Sequence, residues 1–124
     1  MKAGIAAMVA LVGALASGGA MADGNKLLSE CQAAVRFMDN NDVNNDEYGQ
    51  GKCLGTVEGV IGMTMLLNAD LPKKLQMCYP KGGISNGQGI RILVKFLQEN
   101  PKILNFDATV LTKIALADAY PCKG

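Results

Sequence analysis

The chain has 124 residues, enough for one small domain, with 12 basic and 11 acidic side chains and a formal net charge of +1. It contains no histidine and no tryptophan, and only three tyrosines and three phenylalanines. Lack of histidine excludes the usual general base, the Ser-His and Cys-His nucleophile pairs and most zinc sites. Neutral charge and few aromatics leave no nucleic-acid footprint and no polybasic membrane patch.

Residues 1–22 read as a secretory leader. Lys2 is followed by an apolar run from Ala3 to Ala16, a Gly/Ser/Ala segment and a final Ala20-Met21-Ala22. That is an n-region, an h-region and an A-x-A cleavage site, so the cut is expected after Ala22. An uncleaved anchor is the competing reading, and the A-x-A speaks against it. Leu28-Ser29-Glu30-Cys31 looks superficially like a lipid-attachment site, but Glu30 is large and charged where a small residue belongs. Cleavage removes Lys2 and no acid, leaving 11 basic residues against 11 acidic. The mature domain, 23–124, is expected to fold in an oxidising export compartment, with no membrane contact after cleavage.

The first helix is expected from Gly24 to Asn40. Leu27, Leu28, Cys31, Ala34, Val35 and Met38 recur at three- and four-residue spacing on one apolar stripe. A polar loop then runs from Asp39 to Gln50, holding Asp39, Asp42, Asp46 and Glu47 and no basic residue. Asp42-x-Asn44-x-Asp46 starts like a calcium loop, but Glu47 stands where glycine is required and Cys53 where glutamate is required. A solvated connection is the plainer reading; an acidic docking loop including Tyr48 is the sharper one.

The second helix is expected from Lys52 to Asn68, with Cys53, Val57, Val60, Ile61 and Leu67 lining one side. Gly55, Gly59 and Gly62 form a ridge without side chains on another side. Each costs about 1 kcal/mol of helix propensity against alanine. Close packing of a backbone on that ridge could offset the cost. Packing within the chain is the favoured partner, a second subunit the alternative. Asn68 to Gly83 is irregular, broken by Pro72 and Pro80 and made basic by Lys73, Lys74 and Lys81. Cys78-Tyr79-Pro80-Lys81-Gly82-Gly83 is a turn pinned by a cysteine, the kind of loop that carries binding on a rigid scaffold.

The third helix starts sharply at a capping box, Ser85-Asn86-Gly87-Gln88, and ends at Asn100-Pro101. Ile90, Leu93, Val94 and Leu97 are its expected buried face. The fourth runs from Asp107, a plausible N-cap, to Ala119. Phe106, Val110, Ile114 and Ala117 are expected to point inward, with Leu111 at the edge. Leu116 falls off that arc and is assigned to a neighbouring element or a partner. Nothing alternates like a strand. The expected fold is an all-α, four-helix, disulfide-stapled domain.

Four cysteines, Cys31, Cys53, Cys78 and Cys122, lack the C-x-x-C clustering of structural zinc and follow an export signal. They allow three connectivities. Antiparallel packing of helices one and two would bring Cys31 to Cys53. The same arrangement of helices three and four would bring Cys78 to Cys122. Each such bridge is worth about 3–4 kcal/mol.

Gly51-Lys52-Cys53-Leu54-Gly55-Thr56-Val57-Glu58-Gly59 resembles one motif of the Rap/Tai family of type VI secretion immunity proteins. Cys78-Tyr79-Pro80 with Gly82, Ser85 and Gln88 is similar to its second. Val94-x-Phe96-Leu97 with Pro101 continues it, and Ala115-Leu116-x-x-Ala119-Tyr120-Pro121-Cys122 is similar to its closing motif. Together they span most of the mature chain. Thr56, where many members have tyrosine, and the glycine-rich Lys81–Gly89 stretch depart from the pattern. The resemblance implies a small helical protein, often a homodimer, that binds a peptidoglycan amidase effector and excludes its substrate. It implies no enzyme activity and no cofactor.

On that basis Tyr79, Pro80, Lys81, Gly82, Gly83, Ser85, Asn86 and Gln88 are the expected cleft-inserting surface. Asp42, Asp46, Glu47 and Tyr48 are the expected steering contact to a more basic partner. Gly55, Gly59, Gly62 and Leu116 are the expected dimer or close-packing face. For the Gly82–Gly89 run, a plain turn into the third helix is the alternative. The rival function is a periplasmic helical chaperone binding unfolded clients through exposed apolar surface, towards which the methionines point weakly. A small secreted hydrolase and a lipid carrier are further alternatives; the first lacks histidine, and the second needs a cavity.

Overall fold

The computed structural model describes residues 23–123; the expected leader, residues 1–22, lies outside the described residues. Four α-helices follow in order: α1 (Gly24–Asn40), α2 (Glu47–Leu67), α3 (Asn86–Glu99) and α4 (Ala108–Ala119). Single 3-10 turns sit at Asn68–Asp70, Lys73–Leu75 and Pro101–Ile103. Among the described residues there is no strand, only two isolated antiparallel bridges, Asp23 with Asp107 and Met77 with Pro121. The domain is all-α, and its cysteines pair as Cys31–Cys53 and Cys78–Cys122, with Cα–Cα distances of 5.2 and 4.9 Å.

Helix α1 has the expected limits because both ends are marked chemically. The Asp23 carboxylate accepts the Lys26 N–H at 3.0 Å. At the other end Asn41 turns left-handed, with φ 51°, and its N–H reaches the Phe37 carbonyl at 2.9 Å. Leu27, Cys31 and Ala34 are buried, and the Arg91 guanidinium of α3 binds Asp39 at 2.6 Å, tying α3 to the end of α1.

Helix α2 begins at Glu47, five residues before the expected Lys52, so the connecting loop shrinks to Asn41–Asp46. Asp39 belongs to α1; Glu47, Tyr48 and Gln50 belong to α2. The cause is Asp46, whose carboxylate accepts the Gly49 N–H at 3.0 Å and caps the helix. Gly49 is buried against that cap; a Cβ there would lie 2.0 Å from an Asp46 oxygen. A glycine here costs helix propensity, yet it lets the cap close. Thr64 is buried, whereas Leu67, expected inside, is 45% exposed.

Helix α3 carries the expected capping box: Ser85 Oγ accepts the Gln88 N–H at 3.1 Å, and Gln88 Oε1 accepts the Ser85 N–H at 2.8 Å. Ile90, Leu93 and Leu97 are buried and Val94 partly so.

Helix α4 is turned relative to expectation. Leu111, Ala115 and Leu116 face the core, while Phe106, Val110 and Ile114 are exposed; Ala117 is buried as expected. The sequence Ala108–Ala119 has apolar residues on nearly every side, so the period carries no polar face to set its phase. Leu116 is fully buried, against Val60, Met77 and Ala117, and so offers no surface to a partner.

The main core gathers Leu27, Cys31, Cys53, Val57, Leu93 and Leu111 from all four helices. The second core, around Leu116, sits under the segment leading into α3. Full burial of each such leucine is worth about 2 kcal/mol. Thr109 shares a surface depression with Thr56, Gly59 and Val60. Lys113 shares the next one with Thr64, Leu67 and Leu71. Helices α2 and α4 therefore run in the same direction.

Candidate functional site

The segment between α2 and α3 is held at both ends. Asn68 clamps Met77, accepting its N–H at 2.8 Å and donating to its carbonyl at 3.0 Å. Cys78 donates its N–H to the Tyr120 carbonyl at 2.8 Å and is bonded to Cys122. Tyr79 is half-buried, edge-on to Tyr120 with ring centroids 5.4 Å apart, and its hydroxyl donates to the Met77 sulfur at 3.4 Å. Burial, with a smaller contribution from Tyr120, pushes the Tyr79 phenol up to about 12. Tyr79 is a pillar under the loop rather than its tip.

The tip is a β-turn, Pro80-Lys81-Gly82-Gly83, closed by the Gly83 N–H on the Pro80 carbonyl at 2.9 Å. Gly82 has φ 95° and Gly83 φ 77°, a backbone that side-chain-bearing residues rarely adopt. All four tip residues are exposed. Ser85 and Gln88 are exposed too, but their capping atoms are engaged with each other, and Asn86 is the first residue of α3. The tip offers one cation, Lys81, on a stiff platform.

The acidic segment has a different character. Asp46 is committed to its cap, and Asp42 accepts the Asn44 N–H at 3.3 Å. Asn45 is fixed from two sides: it donates to the Ala33 carbonyl at 2.6 Å and accepts from Arg36 at 2.7 Å. The Arg91 hydrogen bond holds the Asp39 carboxyl below its ordinary value and raises the guanidinium. Among the described residues no three acidic or cysteine side chains gather as a metal site. Tyr48 is largely exposed, with the Lys52 ammonium 5.8 Å from its ring centre. Lys52 also approaches the buried Glu30 at 3.6 Å.

The acidic segment meets the first half of α3, not the loop tip. A groove of about 340 Å³ opens where the end of α1 meets the first turns of α2 and α3. Phe37 and Met38 from α1, Leu54 from α2 and the buried Ile90 from α3 form its apolar lining. Glu47 and Gln50 stand on its rim, and Gly51 and Gly87 leave it open. Tyr79 and Pro80 do not join it; they lie by the end of α4. Sequence reasoning missed Phe37 and Leu54, although the motif containing Leu54 had been noted.

The glycine ridge has no packing partner among the described residues. A Cβ at Gly55, Gly59 or Gly62 would meet nothing within 4 Å, so the favoured intrachain packing fails. The surrounding surface is apolar: Met63, Leu66 and Leu67 on α2, Val110 and Ile114 on α4 are exposed, Leu66 by 78%. Lys113, whose ammonium donates to the Leu75 carbonyl, closes one end of the groove between α2 and α4, and burial lowers its basicity.

No curated protein and no solved structure matches the chain. A family does: the Rap1a immunity proteins match residues 23–122, which is the whole described domain from the α1 cap to the last cysteine. The same span carries the bridged cysteines, the pinned loop and the capping box described above. The chain thus belongs to the Rap1a immunity protein family, whose members bind a partner effector protein.

Proposed function

We propose that the protein is a periplasmic immunity protein that binds and occludes a cognate peptidoglycan amidase effector of a type VI secretion system. It thereby protects the cell from its siblings. It acts by occupancy and not by turnover, and needs no cofactor. The observation that carries this reading is the pinned loop. Its exposed tip, Pro80 to Gly83, is held by the Cys78–Cys122 bridge on one side and the Ser85–Gln88 box on the other. A pre-ordered tip loses little entropy on entering a cleft.

The test is co-expression with each candidate peptidoglycan amidase effector of the same cells, in the periplasm of a sensitive host. Full protection by the natural chain, and its loss with Lys81→Glu or with Gly82 and Gly83 both replaced by valine, is the expected result. Unimpaired protection by both variants overturns the loop assignment. No protection by the natural chain overturns the amidase reading.

The exposed apolar face of α2 and α4 supports a homodimer over the chaperone reading. Three glycines with open space above them suit close approach of a second rigid helix better than varied unfolded clients. Sedimentation of the natural chain as a dimer, and of Gly59→Arg as a monomer, is expected. A natural chain that stays monomeric at all concentrations overturns it.

A further inference from the structure

The groove at the junction of α1, α2 and α3 is not part of the loop that carries the proposed function. Three large apolar side chains border it with much of their surface in solvent: Phe37 at 43%, Met38 at 39% and Leu54 at 42%. Ile90 closes its floor. Large apolar groups exposed around one concavity suit an anchor side chain from a partner.

Charge selects the kind of partner. Between Asp39 and Glu47 the chain has four carboxylates and no base. The nearby guanidiniums are Arg91, bound to Asp39, and Arg36, bound to Asn45. With Glu30 and Lys52, which approach each other nearby, five carboxylates stand against three cations. The N-terminal dipoles of α2 and α3 offset part of the excess, and the C-terminal dipole of α1 restores some of it. The Glu47 carboxylate, directly on the rim, has no hydrogen-bond or ion-pair partner among the described residues. Gly51 and Gly87 admit a backbone close to the wall.

We infer that this groove is a second docking site for the partner protein, taking one large apolar side chain flanked by lysine or arginine. It rests on the immunity reading for the partner's identity, but its chemistry is tested without that partner. The groove supplies the anchor, and Glu47 with its acidic neighbours pairs with the flanking cations.

The test uses isotope-labelled protein, residues 23–124, and three blocked peptides: Gly-Lys-Phe-Lys-Gly, Gly-Lys-Ala-Lys-Gly and Gly-Glu-Phe-Glu-Gly. The first should shift the amides of Met38, Gly51, Leu54 and Gly87 and saturate. The other two should bind about tenfold more weakly, one lacking the apolar burial and the other the charge match. Gly51→Leu fills the groove from its wall; beyond its own helix backbone, the added Cβ meets nothing within 4 Å among the described residues, so the variant should melt no lower than the natural chain. It should lose at least about tenfold in affinity for the first peptide, by occupying the anchor volume. Equal binding of the three peptides, shifts confined to the Lys81 tip, or unchanged binding by Gly51→Leu would each overturn the inference. Protection against the amidase is scored separately. Protection without peptide binding sinks the groove alone, and peptide binding without protection sinks the immunity reading alone.

Discussion

The two disulfides invite opposite rankings, and removing them one at a time separates the arguments. Chain entropy ranks them by loop length. A separation of 22 for Cys31–Cys53 corresponds to about 3.4 kcal/mol, and a separation of 44 for Cys78–Cys122 to about 4 kcal/mol. Burial reverses that order. Cys31 and Cys53 are fully buried between α1 and α2, whereas Cys78 is exposed and Cys122 partly so. Replacing the inner pair by alanine removes two core sulfurs as well, at roughly 1 kcal/mol each for lost burial and residual cavity. The inner double variant should therefore lose about 5 kcal/mol and the outer about 4, from a total that for a domain of this size is about 5–15 kcal/mol. Urea unfolding of both variants measures this. Native-state reduction gives an independent reading. With a dilute dithiol followed by alkylation and peptide mapping, Cys78 and Cys122 should be labelled first, and Cys31 and Cys53 only at the rate of global opening. A more stable inner variant, or equal labelling rates, would refute the burial argument.

Three smaller tests follow from named contacts. Gly55→Ala should raise the stability of the isolated protomer by about 0.5–1 kcal/mol, because the helix gains propensity and the methyl meets nothing; a thermal melt at low concentration reads the sign. Asp107 caps α4 by accepting the Thr109 and Val110 N–H groups at 2.9 and 3.1 Å, so Asp107→Ala should cost about 1 kcal/mol in urea unfolding. Tyr79 has a folded-state value raised from 10.0 to about 12, so its neutral form is favoured by folding. Its contribution is constant below pH 10 and is lost as pH rises from about 10 to about 12. Tyr79→Phe should remove that alkaline slope, seen by phenolate absorbance and by stability against pH.

Much of the fold is legible where a single residue type has one local job. Asp23 and Asn41 bracket α1, and Ser85 with Gln88 opens α3, because caps satisfy orphan backbone groups within a few residues. The cysteine pairing follows from helices that must return on themselves. Phase is lost where a helix has no polar side. Val110 and Ile114 are as apolar as Leu111 and Leu116, and only the packing of the other three helices decides which pair is covered. The same holds for the site. Each segment could be named from sequence, but the groove between Met38, Leu54 and Gly87 exists only once three helices meet. Ser85 and Gln88 show the converse: the capping box legible in the sequence engages the same polar atoms that a partner contact would need.

Asp23 and Gly24 are where the packed body begins. Asp23 caps α1 and pairs with Asp107, while Gly24 is buried, its N–H on the Phe106 carbonyl at 3.1 Å. A Cβ at Gly24 would lie 2.5 Å from a Leu111 methyl and 2.8 Å from the Leu104 carbonyl. The cleavage junction expected after Ala22 is thus flush with the packed body, with no spacer residue between them. A peptidase needs exposed, extended chain on both sides of its cut. The closed domain cannot lend it any on the downstream side. Were the leader cut there, trimming would have to come before α1 docks on α4, and the peptidase would act as a timekeeper for folding.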